Sequence, residues 1–249
     1  MPDGKTVFLD FDDTLNDPFV LLGQYSDCIG ARFAPHYGST PRDWAKASID
    51  TLIALEREYL DRFTGNPRNG YCAWLASVQE RSIAQIFGRM GLPTPPNALE
   101  LARTTQFEAL SECDAAFPGA QQALAALTEA GYHLHMASGQ ESEYLRAALI
   151  GAKLDAFPER LYGPDLIDCA KEGPEYYERL FADIGVRPQD ALIVDDQPTV
   201  IAWALQVGAT VLQSHLSPER HYPAVPGIAA SLTDLHTLPQ LVDLHHPLR

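Results

Sequence analysis

The sequence has few cysteines, no long apolar run and a shortage of basic residues. Its four cysteines lie far apart and form no CxxC pair; they are Cys28, Cys72, Cys113 and Cys169. This spacing predicts neither a zinc site nor a disulfide framework. No apolar segment approaches membrane-spanning length, and the first residues, MPDGKTVFLDF, lack the regions of a signal peptide. We therefore expect a cytoplasmic protein with reduced thiols.

Basic residues number 18 against 33 acidic ones, which gives a formal net charge of -15 at pH 7. A surface with this excess would repel nucleic acid and anionic membranes, so we predict neither as a partner. A small anionic substrate is compatible with this charge if a metal ion and a few cations reverse the field locally. With 249 residues, 46% apolar and 20% charged, the chain is predicted to form a globular core plus a second small domain.

Short apolar runs that end in small or polar residues are the main structural pattern. The runs TVFL, HLHMA, ALIV and TVLQ precede Asp10, Ser138, Asp195 and Ser214, and helix-like stretches separate the later runs. This alternation predicts an α/β fold, a Rossmann-like parallel sheet with helices on both faces. From Ser217 onward the sequence predicts a loop, a short strand and a final helix.

Residues 18–114 show helical spacing of apolar side chains and no strand-like run. Breaks at APHYGSTP, TGNPRNG and GLPTPPN divide this segment into about four helices. We therefore predict an α/β catalytic core of residues 1–17 and 115–249, and an inserted helical cap of residues 18–114. Because the insertion follows the first strand, the cap would overhang the carboxyl end of that strand, where open α/β sheets bind ligands.

Three acidic residues follow the first predicted strand in the segment TVFLDFDDT. If Asp10 ends the strand, Asp12 can point into the same crevice, because side chains alternate with period two. Like charges in one cleft require a cation or a shared proton, and a solvated surface turn is the alternative. Mg²⁺ prefers carboxylate and carbonyl ligands, and a protonated carboxyl can act as a general acid.

Four further polar residues fall at the ends of later predicted elements. Ser138 ends the run HLHMA, and Lys171 precedes a predicted helix. Asp195 and Asp196 follow the run ALIV. Because the carboxyl ends of parallel strands share one edge of the sheet, we expect these residues at the same crevice. A solvated lysine and a simple strand-ending serine are the alternatives for the first two.

Taken in order, these segments resemble the four motifs of the haloacid dehalogenase-like (HAD) superfamily. The matching residues are, in motif order, Asp10, Asp12 and Thr14, then Ser138, then Lys171, and finally Asp195 and Asp196. Asp13 stands where many members have Gly, and Gly139 stands where many have Asn. The helical insertion lies where the family places a first-type cap.

The resemblance implies a phosphatase mechanism. Asp10 would attack phosphorus and form an aspartyl-phosphate, while Asp12 would act first as the acid and then as the base. Mg²⁺ would be the cofactor, and its implied ligands are Asp10, Asp12 (through its carbonyl), Asp195 and Asp196. The residues implied to bind the phosphoryl oxygens are Thr14, Ser138, Gly139 and Lys171.

The predicted function is therefore a Mg²⁺-dependent phosphatase that hydrolyses a small phosphorylated metabolite. Asp12 argues against the dehalogenase branch of the family, which lacks the second acid and needs no metal. A sugar-phosphate mutase or other phosphotransferase with the same motifs is one alternative, and a non-catalytic HAD-fold binding protein is another. The sequence leaves open the substrate, its contacts with the cap and the oligomeric state.

Overall fold

The computed structural model describes residues 5–248, and a six-stranded sheet forms its centre. The strands are β1 (Thr6–Leu9), β2 (His133–Ala137), β3 (Arg160–Tyr162), β4 (Ala191–Asp195), β5 (Thr210–Ser214) and β6 (Ala230–Leu232). Their order is β3-β2-β1-β4-β5-β6, and all neighbouring pairs are parallel. The predicted α/β fold with a parallel sheet is confirmed, and β1 lies at its centre.

Ten helices surround this sheet in the part of the chain that the structure describes. They are α1 (Pro18–Tyr37), α2 (Pro41–Phe63), α3 (Tyr71–Arg89), α4 (Ala98–Ser111), α5 (Ala120–Ala130), α6 (Ser142–Gly151), α7 (Pro164–Ile167), α8 (Pro174–Ile184), α9 (Pro198–Gln206) and α10 (Leu238–His245). Between residues 5 and 248, none of these helices combines the length and the apolar character needed to cross a membrane.

Both faces of the sheet are buried, which explains why β1 is apolar throughout. Val7 and Leu9 lie on one face, in a cluster that includes Leu124 of α5. Phe8 lies on the other face, in a cluster that includes Leu180 of α8. This alternation follows from the period of two along a strand. Because both faces are buried, charged side chains lie only beyond the ends of this strand.

The helices α1 to α4 leave the sheet and rejoin it at one place. The Asp17 N–H donates to the Ala115 carbonyl oxygen at 2.8 Å, and the Phe117 N–H donates to the Leu15 carbonyl oxygen at 2.9 Å. The outgoing and returning segments are therefore adjacent beside the carboxyl end of β1. Whether these helices form a separate cap domain within residues 18–114 stays a prediction.

Two apolar clusters stabilise the four helices. In the first, the rings of Trp44 and Phe87 have centroids 5.1 Å apart. In the second, Phe63 and Trp74 pack in a cluster that includes Ala170, a residue next to the predicted site. The helical segment consequently has a core of its own and also contacts the chain beside the strand ends.

Candidate active site

Three carboxylates meet at the carboxyl ends of β1 and β4. Asp10 follows β1, Asp195 ends β4 and Asp196 comes next, and one oxygen of each lies within 4.8 Å of the other two. The Asp10 N–H donates to the Val194 carbonyl oxygen at 2.9 Å, which fixes the two strand ends side by side. All three aspartates are buried, so they do not form a solvated surface turn.

Lys171 is the cation that faces this cluster. Its Nζ donates to Asp10 Oδ1 at 2.8 Å, to Asp195 Oδ2 at 2.7 Å and to the Ala137 carbonyl oxygen at 2.8 Å. Burial by itself lowers the pKa of Lys171, but the charges of Asp10 and Asp195 raise it well above its usual value. Lys171 is therefore a fixed, desolvated positive charge and not a solvated loop lysine.

The cluster holds more negative than positive charge. Burial is the main cause that raises the pKa of Asp10 to about 7, and Lys171 opposes this rise. Burial, followed by the charges of Asp10 and Asp195, raises the pKa of Asp196 to about 9. Asp196 Oδ2 is buried without a hydrogen-bond donor among residues 5–248. A divalent cation with oxygen ligands fits this charge imbalance and this unpaired atom.

Asp12 lies beside the three-carboxylate cluster, and two side-chain amides hold its carboxylate. Asn16 Nδ2 donates to Asp12 Oδ1 at 3.4 Å, and Gln140 Nε2 donates to Asp12 Oδ2 at 3.4 Å. Burial raises the pKa of Asp12 to about 6, while the two amide hydrogen bonds lower it. A carboxyl group with this pKa can accept and release a proton near neutral pH.

The sequence analysis missed Asn16 and Gln140. Asn16 stands two residues after Thr14, and Gln140 stands two residues after Ser138, so each lies just beyond a motif residue. An amide side chain in a loop after a strand end was the available signal. That signal does not reveal which carboxylate the amide meets, because the two loops come together only in the folded sheet.

The other predicted site residues lie at or near the same edge. The Ser138 N–H donates to the Tyr162 carbonyl oxygen at 3.1 Å, and Ser138 Oγ accepts from the Gln140 N–H at 3.2 Å. Gly139 has open space where a Cβ would stand. Thr14 is fully buried, and its Oγ1 has no hydrogen-bond partner within the described residues. Their roles in binding substrate stay predictions.

Comparisons with known proteins identify the family. The model of the haloacid dehalogenase-like hydrolase family matches residues 5–208. No curated protein matches the sequence. Among solved structures, the chain is similar to the L-2-haloacid dehalogenase from Xanthobacter autotrophicus with chloropropionic acid covalently bound. They share 19% identity over 96% of this chain and 98% of that chain, with a TM-score of 0.61.

Two further structures show the same fold. The defluorinating L-2-haloacid dehalogenase Rha0230 is 17% identical over 95% of this chain and 94% of its own, with a TM-score of 0.71. The HAD hydrolase YfnB from Bacillus subtilis, bound to magnesium, is 17% identical over 96% of this chain and 99% of its own, with a TM-score of 0.63. At these identities the likeness establishes the fold.

The prediction of a Mg²⁺-dependent phosphatase, with its mutase and binding-protein alternatives, is contradicted, because structural neighbours over almost the whole chain are L-2-haloacid dehalogenases. The error came from taking Asp12 as evidence against a dehalogenase. A second carboxylate can act as a base in the hydrolysis of a carboxylic ester as well as of an acyl-phosphate. The carboxylate pattern therefore does not distinguish attack at carbon from attack at phosphorus.

The predicted family itself is confirmed by a match of residues 5–208 and by the shared fold. The parallel sheet places a buried aspartate, a buried lysine and an acidic pair at one edge, in the order that the motifs require. This chain belongs to the haloacid dehalogenase-like hydrolases.

Proposed function

We propose that this hydrolase displaces the halide from a small 2-haloacid by covalent catalysis at Asp10. The observation that carries the proposal is the Asp10 carboxylate, which is buried at the end of the central strand and held by Lys171 through Oδ1 at 2.8 Å. Oδ2 is then the attacking atom. Similarity to L-2-haloacid dehalogenases, one of them with chloropropionic acid covalently bound, supports this substrate class.

The first step is a substitution at carbon. A lone pair on Asp10 Oδ2 attacks C2 of the 2-haloacid, and an ester C–O bond forms while the carbon–halogen bond breaks. The halide leaves with the bonding electron pair, and no proton moves. Attack requires the ionised carboxylate, and the Lys171 ammonium at 2.8 Å favours that form of Asp10.

The second step hydrolyses the ester. Asp12 accepts a proton from a water molecule as the water oxygen bonds to the carboxyl carbon of Asp10. The bond between that carbon and the ester oxygen then breaks, and the departing alkoxide takes the proton from Asp12 to give the 2-hydroxy acid. The remaining acidic proton passes to solvent, which restores the Asp10 carboxylate.

We also propose that Asp10, Asp195 and Asp196 hold Mg²⁺. The unpaired, buried Oδ2 of Asp196 and the excess of carboxylates over Lys171 support this assignment. When bound, the ion supplies positive charge that attracts the carboxylate of the substrate and offsets the three acids. The carboxylate of Asp12 lies outside this ligand set, and its predicted carbonyl ligand stays a prediction.

Chloride release from 2-chloropropionate tests the first proposal. The assay compares wild type with Asp10→Asn, which keeps the shape of the side chain and removes the nucleophile. We expect chloride release to fall at least about a thousandfold in Asp10→Asn. Asp50→Asn, on an exposed part of α2, is the matched control and should keep the wild-type rate.

Isotope labelling locates the bond that water attacks. After a single turnover in H₂¹⁸O, the peptide that contains Asp10 should gain about 2 Da, because the water oxygen enters the carboxylate. Label found only in the hydroxy acid would mean direct attack of water on C2 and would refute the covalent step.

Parallel assays in Mg²⁺ and in EDTA separate the two proposals. If chloride release persists in EDTA, the covalent mechanism is supported and a requirement for Mg²⁺ is refuted. Absence of chloride release together with phosphate release from p-nitrophenyl phosphate would overturn the proposed dehalogenase activity.

A further inference from the structure

Asp13, in the middle of the first motif, is an unusual residue for its position. Its φ is 57°, in the left-handed region that glycine adopts more readily than other residues. Its side chain is 1% exposed, so a carboxylate is buried at the turn that follows β1. A strained backbone and a desolvated charge at one residue persist only where neighbouring groups stabilise them.

Arg220 supplies that stabilisation from the segment between β5 and β6. Its Nη1 lies 2.8 Å from Asp13 Oδ2, and its own side chain is 37% exposed. Ser214, at the end of β5, donates through Oγ to the Asp13 carbonyl oxygen at 2.9 Å. Both the charge and the backbone of Asp13 are therefore held by the same region of the chain.

The turn transmits the position of Asp13 to Asp12. The Asp13 N–H donates to the Asn16 carbonyl oxygen at 2.8 Å, and Asn16 Nδ2 donates to Asp12 Oδ1 at 3.4 Å. A displacement of Asp13 would move Asn16 and so change the orientation of the Asp12 carboxylate.

Arg220 also contacts the first helix of the insertion. Its guanidinium carbon lies 5.5 Å from the centroid of the Phe19 ring, a cation–π distance. Phe19 is in the first turn of α1, half exposed, and its N–H donates to Asp17 Oδ1 at 2.9 Å. One guanidinium thus touches both the turn that holds Asp12 and the start of the helical insertion.

We propose that Arg220 is a positioning residue. Its ion pair with Asp13 fixes the turn that orients Asp12, and its stacking on Phe19 joins that turn to α1. The effect on turnover rests on the proposed function, in which Asp12 is the base for ester hydrolysis. The effect on the turn does not depend on any substrate.

Hydrogen exchange measured by mass spectrometry tests the structural part. In Arg220→Met we expect the amides of residues 11–17 to exchange at least about threefold faster, with those of α1 near Phe19 also faster. The peptide of β4 is the internal control and should not change. Unchanged exchange in residues 11–17 would overturn the proposal, whatever the enzyme acts on.

Two companion variants separate charge from stacking. Arg220→Lys keeps a positive charge near Asp13, so the amides of residues 11–17 should exchange as slowly as in wild type. The amides at the start of α1 should still exchange faster, because the stacking on Phe19 is lost. Asp13→Asn removes the ion pair from the other side and tolerates a left-handed backbone. If the two residues act through one contact, the Asp13→Asn and Arg220→Met effects are not additive; full additivity would overturn the pairing.

Kinetics on 2-chloropropionate test the catalytic part. We expect Arg220→Met to lower kcat about tenfold and to lower KM with it, so that kcat/KM changes little, and to accumulate the Asp10 ester, seen by mass. Lost stability alone would lower the amount of active enzyme without accumulating the ester. Faster exchange with an unchanged kcat would overturn the link to Asp12. No chloride release by wild type would refute the proposed function, and the exchange result would still decide the contact of Arg220 with the turn.

Discussion

The strand-end site and the helical insertion both contain short ion pairs, but burial gives those pairs different consequences. Lys171 is 6% exposed and lies 2.8 Å from Asp10. In the insertion, Arg81 lies 2.8 Å from Glu58, yet the two side chains are 39% and 41% exposed. Water screens the second pair, whereas the first is desolvated and each partner depends on the other. Equal distances therefore do not imply equal contributions to stability.

The largest effect that this comparison predicts is the loss of the buried cation. Lys171→Met leaves Asp10 and Asp195 without a compensating charge, so the free energy of unfolding should fall by about 3–5 kcal/mol. Urea denaturation near pH 7 in EDTA measures this change. Lys46→Met removes the lysine of an exposed pair with Asp50 on α2 and should leave the midpoint unchanged. Similar midpoints for the two variants would refute the distinction between the regions.

Magnesium should sharpen the comparison, because its proposed ligands Asp10, Asp195 and Asp196 all lie at the strand-end site. Without metal, the pKa values of Asp10 and Asp196, raised to about 7 and about 9, exceed the unfolded value near 3.8. The folded state then retains protons that the unfolded chain releases, so the free energy of unfolding falls as pH rises from about 4 to 9. If Mg²⁺ binds at its proposed ligands, it would replace these protons, so its stabilising effect should be greater at pH 8.5 than at pH 6.

Thermal unfolding with and without Mg²⁺ at these two pH values measures the effect. At a Mg²⁺ concentration of 100 times Kd, the gain should be about 2.7 kcal/mol. Asp196→Asn should abolish this Mg²⁺-dependent stabilisation, while Asp50→Asn should not. If Mg²⁺ raised the free energy of unfolding equally in both variants, the ion would bind outside the strand-end site.

The smallest effect is expected in the insertion. Arg81→Met removes a bidentate pair with Glu58, in which Nη1 and Nη2 donate at 3.1 and 2.8 Å. Because both side chains are partly exposed to solvent, which screens the pair, the free energy of unfolding should change by less than about 1 kcal/mol. A loss as large as that of Lys171→Met, measured in the same urea titration, would show that burial is not what separates the two regions.

The strand ends could be predicted from the sequence because each apolar run stops at a polar residue, and the parallel sheet brings those stops together. Asp10, Asp195 and Asp196 were predicted in this way, whereas Lys171 was predicted from its place before a helix and from the motif order. The same pattern did not predict β3, which has only three residues and begins with an exposed arginine. A strand that short gives no alternation to recognise.

Contacts made between loops could not be predicted. Gln140 and Arg220 reach the first motif from loops after β2 and β5, and nothing in their local sequence indicates a partner more than 100 residues away. The chemistry of the substrate was also out of reach, because a carboxylate nucleophile serves for attack at carbon or at phosphorus. The exclusion of nucleic acid and membrane partners stays a prediction from net charge.

The segments that leave and re-enter the sheet lie within hydrogen-bonding distance, at Asp17 with Ala115 and at Leu15 with Phe117. Almost a hundred residues of chain therefore begin and end at nearly the same point. A link of about two residues could join those ends without changing the path of any strand. The path of the chain would therefore allow the helical insertion to be shortened, exchanged or enlarged while the order of the strands remained the same.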